Sequence, residues 1–167
     1  MQRACHPWAT ACVLSGRPNV GALMSLCEEN FMRLSRLVPD LVARPSGVYG
    51  SRCSEGVDLY LEVEEQARFT TTLRLTYLFP VQGVVLPDPD ARLRVYHDAR
   101  QVEVIDLRQT VLPLRADYRA PALVEKWQAN VFIGKWLTYC LRQGRVFADA
   151  PVTPPACASG ARVTLCP

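Results

Sequence analysis

The chain has 167 residues, 49% of them hydrophobic and 21% charged, enough for one domain with a sizeable core. Its net charge of +3 resides in the two ends, where Arg3, Arg17, Arg145 and Arg162 stand against Asp149. The body between them balances 15 basic with 15 acidic residues, which argues against a nucleic-acid partner, and no run of about 18 apolar residues offers a membrane span.

Residues 1–18 are rich in Pro, Ala, Ser and Gly without periodicity and read as a disordered extension. The short apolar stretch 8–14 follows Pro7 and leads to no small-residue cleavage site, so export is the minor reading. A helix is predicted over 20–38, with Asn19 as its N-cap and Pro39 as its stop. Leu23, Cys27, Phe31, Leu34 and Val38 form its apolar row. Asn30 is out of place in a helix interior, and its side chain either bonds outside the helix or sits in solvent.

Strands are predicted at 47–53, 57–65, 69–79, 92–98, 102–107 and 111–118. The third alternates best, with Phe69, Thr71, Leu73, Leu75, Tyr77 and Phe79 on one side and Arg68, Thr70, Thr72, Arg74 and Thr76 on the other. That period of two marks an antiparallel sheet with one covered face. Pro80, Pro87 and Pro89 point to a long loop between strands three and four. A second amphipathic helix is predicted over 122–143, ending at Gly144, and residues 145–167 read as a disordered Pro/Ala-rich tail. The expected fold is α+β over 19–144: an antiparallel sheet of five to six strands flanked by an N-terminal and a C-terminal helix.

Seven cysteines make no CxxC pair or zinc spacing, and their odd number argues for a reducing, cytoplasmic setting. Cys27 and Cys140 fall on apolar helix faces as small hydrophobes. The chain lacks a G-x-S-x-G elbow, a P-loop and a G-x-G-x-x-G, so no cofactor is expected and a classical enzyme is disfavoured. His97 stands beside Asp98 but, in a strand, on the opposite face and in the row of Leu93 and Val95. A hydrogen-bonded structural histidine is therefore favoured over a general base.

Several segments together resemble the YqiB-like family of small proteobacterial domains of unknown function. They are Leu26-Cys27-Glu28-Glu29-Asn30-Phe31 with Leu34, Arg36, Leu37 and Pro39, then Arg68-Phe69-Thr70-Thr71 and Val95-Tyr96-His97-Asp98-Ala99 with Glu103-Val104. The set closes with Glu125-Lys126, Asn130, Phe132 and the run from Trp136 to Gly144. The resemblance implies a cytoplasmic domain without assigned catalysis and supplies no catalytic residues. Within these motifs Arg68, Tyr96, His97, Lys126 and Asn130 are polar residues that folding does not demand, and they form the candidate ligand-binding set. Lys126 and Asn130 share one helix face, so with Arg68 they offer two cations and an amide to a small anion. The competing reading is a set of surface ion pairs. The leading expectation is a non-enzymatic binding or regulatory module for a protein partner or a small anionic ligand. The alternative is a nucleotide- or phosphate-directed enzyme using His97 with Arg68 and Lys126. A metal site is not expected, with one histidine in the body.

Overall fold

A computed structural model describes residues 18–54, 56–109 and 123–155. The expected extension over 1–18 apart from Pro18, the strand over 111–118 and the end of the tail over 156–167 lie outside the described residues. Helix α1, Val20–Leu37, begins as its cap dictates: the Asn19 side chain accepts the Ala22 N–H at 2.8 Å. Its buried row is Ala22, Cys27, Asn30, Leu34 and Leu37, whereas Leu23 and Phe31 sit half-buried at the margins. The helix is thus rolled from the predicted row, and Asn30 faces the interior. After Pro39 the chain makes a short 3-10 turn at Leu41–Ala43.

Five strands follow in a plain antiparallel meander: β1 Gly47–Ser51, β2 Leu59–Gln66, β3 Thr70–Val81, β4 Val84–Tyr96 and β5 Gln101–Arg108. Register lines up Tyr49, Leu61, Leu75, Ala91 and Leu107 as one fully buried row across all five strands. Leu34 and Leu37 of α1 pack on this face with Ile133, Trp136 and Leu137 of α2, Leu123–Arg142, which makes a two-layer α+β domain. The other face carries the charges, including Arg74–Asp90 at 2.6 Å and Arg92–Glu64 at 2.5 Å. These partly exposed pairs each contribute about 0–1 kcal/mol.

The predicted long loop between strands three and four is instead a hairpin. β3 and β4 run on to a two-residue turn, Gln82-Gly83, whose φ values of 51° and 81° suit a tight hairpin connection. β2 pairs with β3 only as far as Tyr77, and β5 with β4 only as far as Asp90. Among the described residues, residues 78–89 therefore pair only with each other as a two-stranded arm, where the prolines interrupt no described third strand.

α2 closes as Gly144 predicts. At φ 63° it lets its own N–H reach the Leu141 carbonyl and the Arg145 N–H reach that of Cys140. The chain after it departs from the expected tail over 145–155. Phe147 enters the core, and the N–H groups of Ala148 and Val152 bond the Gly50 and Val48 carbonyls of edge strand β1. Arg44 donates to the Ala148 carbonyl, and Arg145 donates to those of Ser51 and Val57. The segment covers a strand edge, and it does so through irregular backbone that leaves no periodicity in the sequence. Gly47 and Gly50 permit this approach, because a Cβ on either would lie 3.3 Å from Pro151 or Val152.

Candidate functional site

The β4–β5 turn, residues 97–100, lies beside the β2–β3 link, to which it is tied by the His97 N–H bonding the Phe69 carbonyl at 2.9 Å. On the β5 side of this end, the first halves of α1 and α2 leave a cleft of about 350 Å³. Leu23, Met24, Cys27 and Ala99 supply its apolar walls, and Tyr96, Gln101, Glu103, Lys126 and Asn130 its polar groups.

Glu103 is the centre of those polar groups. One carboxylate oxygen accepts from Lys126 Nζ at 3.1 Å and the other from the Tyr96 hydroxyl at 3.3 Å. Burial, with Glu103 adding to it, raises the Tyr96 phenol, so it remains a neutral donor. Lys126 and Glu103 both keep about a third or a quarter of their side-chain surface exposed, so an incoming molecule can reach them.

Behind the cleft lies a saturated polar contact between the helices. The Asn30 amide donates to the Asn130 carbonyl at 3.0 Å, and its oxygen accepts from Arg33 at 3.3 Å. Asn130 donates to the Lys126 carbonyl at 2.9 Å and takes the Cys27 thiol at 3.8 Å. Of the two readings of Asn30, the bond outside the helix is the one observed. Gly134 makes room for it, since a Cβ there would stand 2.8 Å from Asn30 Oδ1. Burial, then Glu103, pushes the Cys27 thiol up to about 12, which makes it a weak donor and not a nucleophile at neutral pH.

Tyr96, Lys126 and Asn130 thus meet at one cleft, whereas Arg68 and His97 do not line it. Arg68 is exposed on the β2–β3 link, with its guanidinium 4.9 Å from the Phe69 ring centre. The expected cradle of two cations and an amide is therefore not assembled: the link turns Arg68 to solvent while α2 holds Lys126 over β5. His97 lies on the core-side row, with Nε2 2.7 Å from Thr71 Oγ1. Thr71 in turn donates to Gln66, which donates to the Val42 carbonyl, a run of bonds that fastens the 3-10 turn to the sheet. Burial lowers the His97 pKa and neighbouring Asp98 only opposes this; the Asp98 carboxylate is engaged by the Ala99 N–H. His97 with Arg68 and Lys126 do not converge on the cleft, because His97 sits under the turn.

Sequence reasoning did not assign Glu103, Gln101, Leu23 and Met24 to the site. Glu103 lay within a recognised motif, but its pairing with Lys126 depends on how α2 crosses the β5 edge. Among the described residues no group of three His, Cys, Asp or Glu side chains is placed to hold a metal ion, and no helix is long and apolar enough to cross a membrane.

Fold and cleft together define a small two-layer α+β domain with a mixed polar and apolar site at one end of its sheet. Residues 33–146 match the family described as "Protein of unknown function (DUF1249)", and the chain belongs to that family. It is similar to the uncharacterized protein YqiB of Escherichia coli K12, with 34% identity over 131 residues covering 76% of this chain and 91% of the relative. The YqiB proteins of the O157:H7 and CFT073 strains match to the same extent. No solved structure matches.

Proposed function

We propose that the chain is a non-enzymatic binding module, acting in the cytoplasm, whose cleft takes a small zwitterion with an apolar side group. The observation that carries this reading is the Tyr96–Glu103–Lys126 cluster in a cleft whose apolar walls are Leu23, Met24, Cys27 and Ala99. Such a mixture of apolar wall and few convergent polar groups is the usual make-up of a ligand site. A bare anion meets Glu103 as well as Lys126 and is repelled by one while attracted by the other. A molecule carrying both an ammonium and a carboxylate replaces the internal ion pair with two matched ones. Its side group then rests on Leu23, Met24 and Ala99. The cytoplasmic setting rests on the odd cysteine number and on the buried free thiols of Cys27 and Cys140.

A thermal-shift screen tests this with leucine and methionine as apolar zwitterions, and with inorganic phosphate and nucleoside monophosphates as anions. A zwitterion at ~100 times its dissociation constant should add about 2.7 kcal/mol of stability. Glu103→Gln should abolish that response. A shift produced by the anions alone overturns the zwitterion assignment, and no shift with any compound overturns the cleft as a ligand site.

A further inference from the structure

The hydrogen bonds beneath the β4–β5 turn run in one direction, and their far end fixes it. The Val42 carbonyl can only accept, so the Gln66 amide turns its nitrogen to it, at 2.9 Å. That leaves the Gln66 oxygen facing Thr71 at 3.1 Å. An amide oxygen also only accepts, so the one hydroxyl hydrogen of Thr71 is committed to Gln66. Thr71 Oγ1 then has lone pairs alone to offer the His97 ring, whose Nε2 stands 2.7 Å away. Nε2 must carry a hydrogen, and in the neutral ring Nδ1 has none. Acid adds its proton at Nδ1 and leaves the bond to Thr71 in place.

The same residue is tied by its backbone, its N–H bonding the Phe69 carbonyl at 2.9 Å. The turn then passes through Arg100 at φ 53°, a conformation that a side chain disfavours and that persists only under outside constraint. Tyr96, Ala99 and Gln101, on either side of these ties, line the cleft, and register pairs Tyr96 directly with Gln101. We infer that His97 is a positioning residue for the cleft: held as the Nε2–H tautomer by Thr71, it fixes the β4–β5 turn and with it that wall. The inference rests on the cleft being a ligand site. It gives His97 a role that needs a donor at Nε2 and no chemistry at Nδ1. Thr71 is 0% exposed, so bulk solvent does not replace a lost ring donor.

Long-range proton–nitrogen spectra of the full chain read the tautomer directly, with His97→Gln identifying the His97 signals by their disappearance. At a pH where the ring is neutral, Nε2 should show the shift of a protonated nitrogen and Nδ1 that of a bare one. The opposite assignment, or an averaged pair, overturns the inference. The substitutions His97→Asn and His97→Gln then separate positioning from bulk, since only the longer amide side chain of His97→Gln reaches Thr71. His97→Asn should weaken methionine binding roughly fivefold and quicken hydrogen exchange of the amide at position 97, and His97→Gln should restore both. If His97→Asn does not fold, Thr71→Val replaces it, with Thr71→Ser as its rescue. Wild-type values in His97→Asn, or no recovery in His97→Gln, overturn the inference. If methionine does not bind the wild type at all, the ligand reading fails, and the locked turn is still decided by the ring spectrum and the exchange rates.

Discussion

The two ends of the sheet solve opposite problems. At the β4–β5 turn end, polar residues lie in the interior with their partners: Asn30 and Asn130 are 0% and 1% exposed, Asn30 donating to the Asn130 carbonyl of α2 and Asn130 accepting from the Cys27 thiol of α1. At the far end, Val81, Val84 and Leu86 lie outside, with no cover among the described residues. A buried polar group with its bonds made is part of how the helices dock. A projecting apolar arm is exposed surface that the described residues leave uncovered. The contrast teaches that an unusual residue type alone does not mark function; unmet bonding or uncovered surface does. Asn130, chosen from sequence as a ligand contact, contributes to the cleft mainly by holding its wall.

Substitutions at the saturated end should cost most. Gly134→Val forces side-chain atoms into Asn30 where even a Cβ is 2.8 Å from Oδ1, and should destabilise by about 3 kcal/mol in urea unfolding. A change within the error of the wild type would mean that the helices do not meet there. Asn30→Ala removes the interhelical donor and leaves its acceptor underused, for a loss of about 2 kcal/mol. Lys126→Met breaks a part-exposed pair worth at most about 1 kcal/mol, but should erase any ligand-induced shift. Retained ligand response in that variant would detach the cleft from its proposed chemistry.

His97 sharpens the same comparison through pH. Its folded-state pKa is lowered from 6.5 by burial, so the unfolded chain binds the proton more readily. The stability this contributes is present above pH 6.5 and is lost as pH falls below it. His97→Gln should flatten the stability profile in that acid window and leave the profile above it parallel to the wild type. The smallest effect on stability belongs to the arm: Leu86→Glu should stay within about 0.5 kcal/mol of the wild type.

Much of the fold was legible because alternation and capping are local. The covered row of β3 from Thr71 to Leu75, the Asn19 cap and the Gly144 stop all follow from a few neighbouring residues. The arm was not, because three prolines within ten residues read as loop when nothing local shows that β3 and β4 pair with each other there. Residues 145–155 were not, since their order comes from distant partners such as Arg44 and Gly50. At the site, helix spacing correctly placed Lys126 beside Asn130, but no local pattern tells which sheet residue a helix will cross. That is why Glu103 was missed and Arg68 was expected in its place.

Amide chemical-shift mapping of the full chain titrated with leucine or methionine addresses the binding account most directly. The account predicts saturable shifts at Leu23, Cys27, Tyr96, Gln101, Glu103 and Lys126, absent in Glu103→Gln, with the arm unmoved. Shifts confined to Arg68 and His97, or to residues 78–89, would contradict it.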